Sequence, residues 1–175
     1  MTSQGVLIGG STNSQKARFY GGELEGSFLL TTKDQVNVGV TYLSAVYTEF
    51  VIPANGSNLS NTNLQNAPRS TLTANYSHTF DLTGGASFVA HAEAHFEAGQ
   101  WTDYRHTPGS YTDAHWRDNA DLTYKSADGH YRVAAFVENI FNDDSLVVAN
   151  GGLGPYMLGQ PYPPRTYGVR VTANF

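Results

Sequence analysis

The most chemically loaded stretch of the chain is His91-Ala92-Glu93-Ala94-His95-Phe96-Glu97, which puts two imidazoles and two carboxylates at alternate positions. In an extended backbone alternate side chains share a face, with neighbours on that face about 6.6 to 6.8 Å apart. Two imidazoles on one such face, with carboxylates beside them, can share one first-row metal ion, so one reading is a metal or metal-chelate contact. The other is a hydrated wall, in which His91, Glu93, His95 and Glu97 pair with Asn75, Ser77 or Asp121 on adjacent strands. The second carries more weight, because the wall of an aqueous lumen has to be polar, and no metal site is assigned.

Three other groups invite a chemical reading. Glu23 and Glu25 could pass for a glycosidase pair, but that chemistry needs carboxyls about 5 to 9.5 Å apart on two sides of a substrate, one with a raised pKa. Two carboxylates on one strand face read as wall residues. Tyr104, Arg105, His106 and Tyr111, with His115 beside them, combine aromatic rings with cations in one connecting segment. Such residues are good contact groups, so they are candidates for ligand binding, against the alternative of an ordinary solvated loop. Asn55-Gly56-Ser57 matches a glycosylation acceptor and is read as chance. No catalytic residue and no cofactor is assigned.

These residues sit on segments that alternate with period two, the pattern of half-buried strands. Residues 17–30 set Tyr20, Leu24, Phe28 and Leu30 against Glu23, Glu25 and Ser27. The pattern resumes over residues 36–50, 70–80, 86–98, 115–125 and 131–137, and again from Tyr167 to Phe175. Asp118 alone falls on an apolar parity without an account. The connections alternate between short (31–35, 81–85, 126–129) and long (51–68, 102–114, 144–163), the arrangement of outer-membrane barrels, whose periplasmic turns are tight and outer loops long. On that reading the first turn is periplasmic and the last strand ends at the periplasmic rim. Phe80, Phe88, Tyr124, Tyr131 and Phe175 then mark a lower aromatic girdle, and Phe96, Trp101, Trp116 and Tyr167 an upper one.

Composition agrees. In 175 residues there are 11 Tyr, 9 Phe and 18 Gly, while charged residues make up 14%, against about 25% in soluble domains. A mean hydropathy of -0.35 does not oppose a membrane location, since half of a barrel strand faces a polar lumen. No stretch of about 18 apolar residues exists, which excludes a transmembrane helix. A net charge of -5 without a Lys/Arg cluster argues against nucleic-acid binding. The lack of cysteine removes disulfides and thiol chemistry. Residues 1–8 have no basic n-region or long apolar core and are not read as a signal peptide.

Five segments in order resemble the C-terminal barrel of TonB-dependent receptors: Gly21-Gly22-Glu23-Leu24-Glu25, residues 42–50, Leu64-Gln65-Asn66-Ala67-Pro68, residues 137–143, and Pro164-Arg165-Thr166-Tyr167-Gly168 through Phe175. The resemblance spans residues 17–175. It implies a 22-stranded barrel plugged by an N-terminal domain, in the outer membrane, importing a scarce nutrient such as siderophore-iron, a vitamin or a carbohydrate with energy passed through TonB. It further implies that the last strand is the signal read by the barrel-insertion machinery, carried here by Tyr167, Val169, Val171, Ala173 and Phe175. Arg170 stands where that signal usually has glycine, with Gly168 two residues earlier.

The expectation is therefore an all-β, antiparallel, incomplete barrel of about seven meandering strands. Residues 1–16 are the tail of a preceding strand and loop. The whole chain reads as a C-terminal third or less of a receptor, without plug or TonB-contacting box. It would meet outer-membrane lipid, and TonB only through a missing N-terminal part. Two alternatives stay open: a soluble β-sandwich binding module, and a complete eight-stranded barrel in which residues 6–10 supply the eighth strand.

Overall fold

The computed structural model describes residues 16–53, 55–153 and 156–174, with side chains for all of these except 150–153, 156 and 157. The strands are β1 (Lys16–Leu29), β2 (Asp34–Glu49), β3 (Ser70–Asp81), β4 (Ser87–Glu97), β5 (Gln100–Trp101), β6 (Tyr111–Thr112), β7 (His115–Lys125), β8 (Tyr131–Glu138), β9 (Leu146–Leu153), β10 (Tyr156–Pro161) and β11 (Thr166–Ala173). Seven of them form one antiparallel sheet in the order β1-β2-β3-β4-β7-β8-β11. β5 pairs with β6, and β9 with β10, as separate hairpins within the long connections. The sheet is an open arc: within it β1 bonds only β2, and β11 only β8.

Register turns the period-two sequence pattern into continuous rows. Phe28, Val36, Tyr76, Ala92, Ala120, Val137 and Tyr167 are successive cross-strand partners over all seven strands. A second row joins Leu24, Val40, Leu72, Phe96 and Trp116. On the opposite face Glu25, Gly39, Thr73, His95 and Arg117 align in the same way. Because a one-residue slip would exchange the faces, the register separates an apolar side from a polar one.

The apolar side is left uncovered. Leu24 is 75% exposed, Tyr167 80% and Val169 67%. An apolar patch wider than a few hundred Å² is rare on soluble monomers, and a sandwich would bury this face against a second sheet. The sandwich expectation is therefore not met. The eighth strand of the other alternative falls on residues 6–10, outside the described residues.

The short turns are built from local side-chain bonds. Thr31 Oγ1 accepts the Lys33 and Asp34 amides at 3.0 and 3.1 Å, a hydroxyl-based turn. At the 126–130 turn Gly129 has φ +74°, Ser126 Oγ donates to Asp128 Oδ1 at 2.6 Å, and the His130 amide donates to the same oxygen at 3.1 Å.

Two connections depart from the sequence reading. Residues 51–68 are not merely a solvated loop: Tyr47, Phe50, Ile52 and Leu59 form a buried apolar cluster, with Ala17, Leu64 and Tyr104 packed against it. The backbone turns back onto the upper end of β2, the Tyr47 amide donating to the Thr62 carbonyl at 2.9 Å and the Leu64 amide to Ala45 at 3.0 Å. Residues 144–163, rich in Gly and Pro, hold the hairpin β9–β10, whose register slips beside Tyr156 and Pro161. Pro161, lacking an amide hydrogen, stands at a strand end where that loss is tolerated.

Candidate functional site

The polar face of β4 carries the His/Glu stretch, and the sheet supplies its partners. His91 Nδ1 lies 2.9 Å from Ser77 Oγ, and His95 Nδ1 lies 2.9 Å from Thr73 Oγ1, both across the β3–β4 ladder. Glu93 is in register with Asn75 on one side and Asn119 on the other. His91 and His95 are four residues apart, about 13 Å along the strand, so the two imidazoles do not converge. Among the described residues no group of three His, Asp or Glu side chains is placed to hold a metal ion.

Glu97 is different. At the loop end of β4 it gathers Gln100 Nε2 at 3.3 Å, Arg117 Nη2 at 3.4 Å, His95 Nε2 at 3.4 Å and His115 Nε2 at 3.6 Å. His115 is fixed from both ring nitrogens: Nδ1 donates to the Asp113 carbonyl at 3.0 Å, and Arg117 Nη2 donates to Nε2 at 2.6 Å. The guanidinium of Arg117 also lies 4.3 Å from the centroid of the Tyr162 ring, close enough for a cation–π contact. The sequence reading missed Gln100, Arg117 and Tyr162. Arg117 could have been found by parity, since it shares a strand face with His115.

The loop candidates form a second cluster at the same end of the sheet. Trp101 and His106 stack, with centroids 4.5 Å apart and planes at 7°, and Tyr111 meets Trp101 edge-on at 5.1 Å. Trp101 therefore sits in this loop cluster, on β5 and not on the wall strands that carry Phe96 and Trp116. Gly99 makes room for Tyr111: a Cβ there would stand 2.4 Å from the Tyr111 hydroxyl. His106, at φ +54°, donates Nε2–H to the Asn63 carbonyl at 2.8 Å and so ties this loop to residues 51–68. Burial pushes the His106 pKa down, against the opposing pull of the Asn63 carbonyl and the Asp103 carboxylate. Tyr104 faces the apolar cluster, 6.2 Å from Phe50. Arg105 covers the Tyr104 ring at 5.2 Å and is exposed. His115 belongs to the Glu97 cluster.

A single hydroxyl joins this loop to the last one. Thr102 Oγ1 donates to the Ser110 carbonyl at 2.8 Å and accepts the Ala149 amide at 3.0 Å, and all three residues are buried. The three long connections thus pack as one body.

Lower on the polar face, Glu23 and Glu25 line a concavity of about 610 Å³ with Asn37, Thr41, Thr71 and Asn75. Both are exposed and stand on one strand, where they line one wall of the concavity instead of flanking a substrate. Tyr167, Val169, Val171 and Ala173 lie on the apolar face of β11, all exposed. Phe175 lies outside the described residues.

No protein-family model matches the chain, and no characterised sequence does. Solved structures do. The ferric yersiniabactin uptake receptor FyuA from Yersinia pestis superposes with a TM-score of 0.73 at 15% identity, over 91% of this chain and 24% of that one. The siderophore receptor PiuA from Acinetobacter baumannii gives 0.70 at 16% identity, over 89% and 21%. The ferric-catecholate import receptor Fiu from Escherichia coli K12 gives 0.68 at 22% identity, over 91% and 21%. This chain spans about a quarter of the length of these receptors or less, and it shares the fold of the stretch it matches.

Proposed function

We propose that the chain forms the C-terminal part of the β-barrel of a TonB-dependent outer-membrane receptor, contributing wall strands and the outer loops that contact a scarce nutrient. The observation that carries this reading is the seven-stranded meander with one uncovered apolar face and one polar face, in a fold shared with three siderophore or iron-siderophore receptors. The apolar rows are the lipid contact, and the polar face lines a lumen. Tight turns stand at the periplasmic side, which puts the end of β11 there. The insertion signal is Tyr167, Val169, Val171 and Ala173 of β11 together with Phe175 of the sequence.

The ligand surface is the outer-loop cluster around Trp101, Tyr104, Arg105, His106 and Tyr111, with His91, Glu93, His95 and Glu97 on the lumen wall beneath. Given the three neighbours, an iron-siderophore complex is the favoured cargo, ahead of a vitamin or carbohydrate. The protein supplies binding and passage, not catalysis, and energy reaches it through TonB at a part of the receptor outside this chain.

The test is cell fractionation of the protein in a Gram-negative host, followed by uptake of radiolabelled ferric siderophores under iron limitation. Recovery in the outer membrane with a heat-modifiable shift on gels, and uptake lost on deletion, is the expected result. Recovery as a soluble monomer that melts cooperatively without detergent would sink the membrane reading.

A further inference from the structure

Asp118 puts a carboxylate on the apolar side of the wall. It alternates along β7 with Trp116, Ala120 and Leu122 and is the cross-strand partner of Ala94, so its side chain leaves the sheet on the face that the apolar rows occupy. Its carbonyl accepts the Ile140 amide at 2.9 Å, but among the described residues no donor reaches its carboxylate. Asp118 stands three residues inside the loop end of β7, about 10 Å along the strand. A charge on a lipid-facing surface costs free energy that falls off only towards the interface, and a countercharge that pairs with it offsets that cost.

The space beside Asp118 is an open groove of about 570 Å³ that Trp116, Phe141 and Asp143 also line. Trp116 is 46% exposed and Phe141 77%, and both are presented by fixed supports. Phe96 backs Trp116 at a centroid distance of 5.1 Å. Phe141 rides on a segment locked by Asn139, which is 2% exposed: its Nδ2 donates to the Asp143 and Pro163 carbonyls at 2.8 and 2.9 Å, and its Oδ1 accepts the Asp143 amide at 2.7 Å. The Asn139 amide in turn donates to Asn119 Oδ1 at 2.9 Å. The Asp143 carboxylate is engaged by the Ser145 hydroxyl at 2.5 Å. The groove therefore offers one free carboxylate beside two exposed rings.

We propose that this groove seats the primary ammonium of an ethanolamine-bearing lipid, with the carboxylate of Asp118 as its counterion and the rings of Trp116 and Phe141 as its walls. The inference rests on the membrane reading above. A girdle of aromatic rings alone would meet any headgroup, and the carboxylate is what makes the groove selective. An ammonium pairs with a carboxylate through short charge-assisted hydrogen bonds and is attracted to the faces of aromatic rings, so one headgroup satisfies both kinds of surface. An anionic headgroup meets like charge at Asp118, and an acyl chain leaves the carboxylate without a partner. The groove is continuous with the apolar rows through Trp116, which places the acyl chains of the same lipid against Leu72 and Leu122 below.

The experiment reconstitutes the intact protein in bilayers of phosphatidylethanolamine and phosphatidylglycerol in equal parts with matched acyl chains, and counts the lipids it retains by native mass spectrometry. The expected result is enrichment of phosphatidylethanolamine among retained lipids by about threefold to fivefold, the factor that a cation–π contact at an exposed site produces. Asp118→Asn, which keeps the shape and removes the charge, abolishes the enrichment, and Phe141→Ala reduces it. Asp121→Asn, on the opposite face of β7, keeps it. No enrichment in the native protein, or the same enrichment in Asp118→Asn, overturns the proposal. If Asp118→Asn does not fold, the native protein is tested with N-acetylated phosphatidylethanolamine in place of the free amine: enrichment lost supports the proposal, and enrichment retained overturns it. A protein that enters the bilayer without selecting a lipid fails this inference alone, whereas one that stays soluble fails the membrane reading.

Discussion

Gly168 on β11 stands opposite Phe136 on β8, and the ring fills the space a side chain would need, since a Cβ at 168 would lie 2.9 Å from the ring Cζ. Phe136 is an aromatic on the polar face, and Arg170 lies over it at 5.3 Å. A ring laid across a glycine in this way couples the last two strands of the sheet and pins their register.

Gly168→Val should therefore destabilise the pairing of β11 with β8 by about 1–3 kcal/mol, the range for overpacking a filled site. Denaturant unfolding in lipid measures it. Gly22→Val is the control, because a Cβ there meets nothing within 4 Å. Equal losses for the two variants would refute the account.

Thr102→Val should detach the β9–β10 hairpin from the loop that carries Trp101. It leaves the buried Ala149 amide, which donates to Thr102 Oγ1 at 3.0 Å, without its acceptor, at a cost of about 1–3 kcal/mol. Limited proteolysis within residues 144–163 should quicken in Thr102→Val and stay slow in Thr102→Ser, which keeps the hydroxyl.

His106 should make the contact between the two upstream long connections, residues 51–68 and 102–114, sensitive to acid. Its pKa is held below the ordinary 6.5 mainly by burial, so the separated loops bind the proton more readily than the joined ones. The joined state is favoured above that value and weakens as pH falls through and below it. Trp101, stacked on His106, reports the change by fluorescence. His106→Gln should remove the pH dependence of the Trp101 signal.

Asp128 should do the same for the 126–130 turn at much lower pH. Hydrogen bonds from Ser126 and then His130 lower its pKa from 3.8 to about 2. A depressed carboxyl pKa means a contribution that is complete above 3.8 and lost as pH falls towards 2. Exchange of the His130 amide should accelerate across that window, and in Asp128→Asn it should show no step there.

Much of the wall was legible in the sequence for a local reason. A strand turns its side chains alternately to two faces whatever lies around it, so Leu72, Ala74 and Tyr76 against Thr71, Thr73 and Asn75 announce a strand without knowledge of neighbours. Ser126-Ala127-Asp128-Gly129 announces a turn because the left-handed backbone at Gly129 and the Asp128 bonds arise within five residues. Ser77, one of the adjacent-strand residues expected to pair with this polar stretch, meets His91.

The loop body was not legible, because its contacts join residues that no short-range pattern connects. Phe50 meets Tyr104, His106 meets Asn63, and Thr102 meets Ala149 at a separation of 47 residues. Each depends on where an aperiodic segment returns, and five asparagines in residues 51–68 masked the apolar side chains that close there. The sequence alone determined two faces, seven strands and the side on which the turns are tight, since alternation and turn chemistry are properties of neighbouring residues. Only the tertiary structure decided that Glu97, His115 and Arg117 converge while His91 and His95 do not. Convergence depends on register and on loop return, which the whole sheet sets.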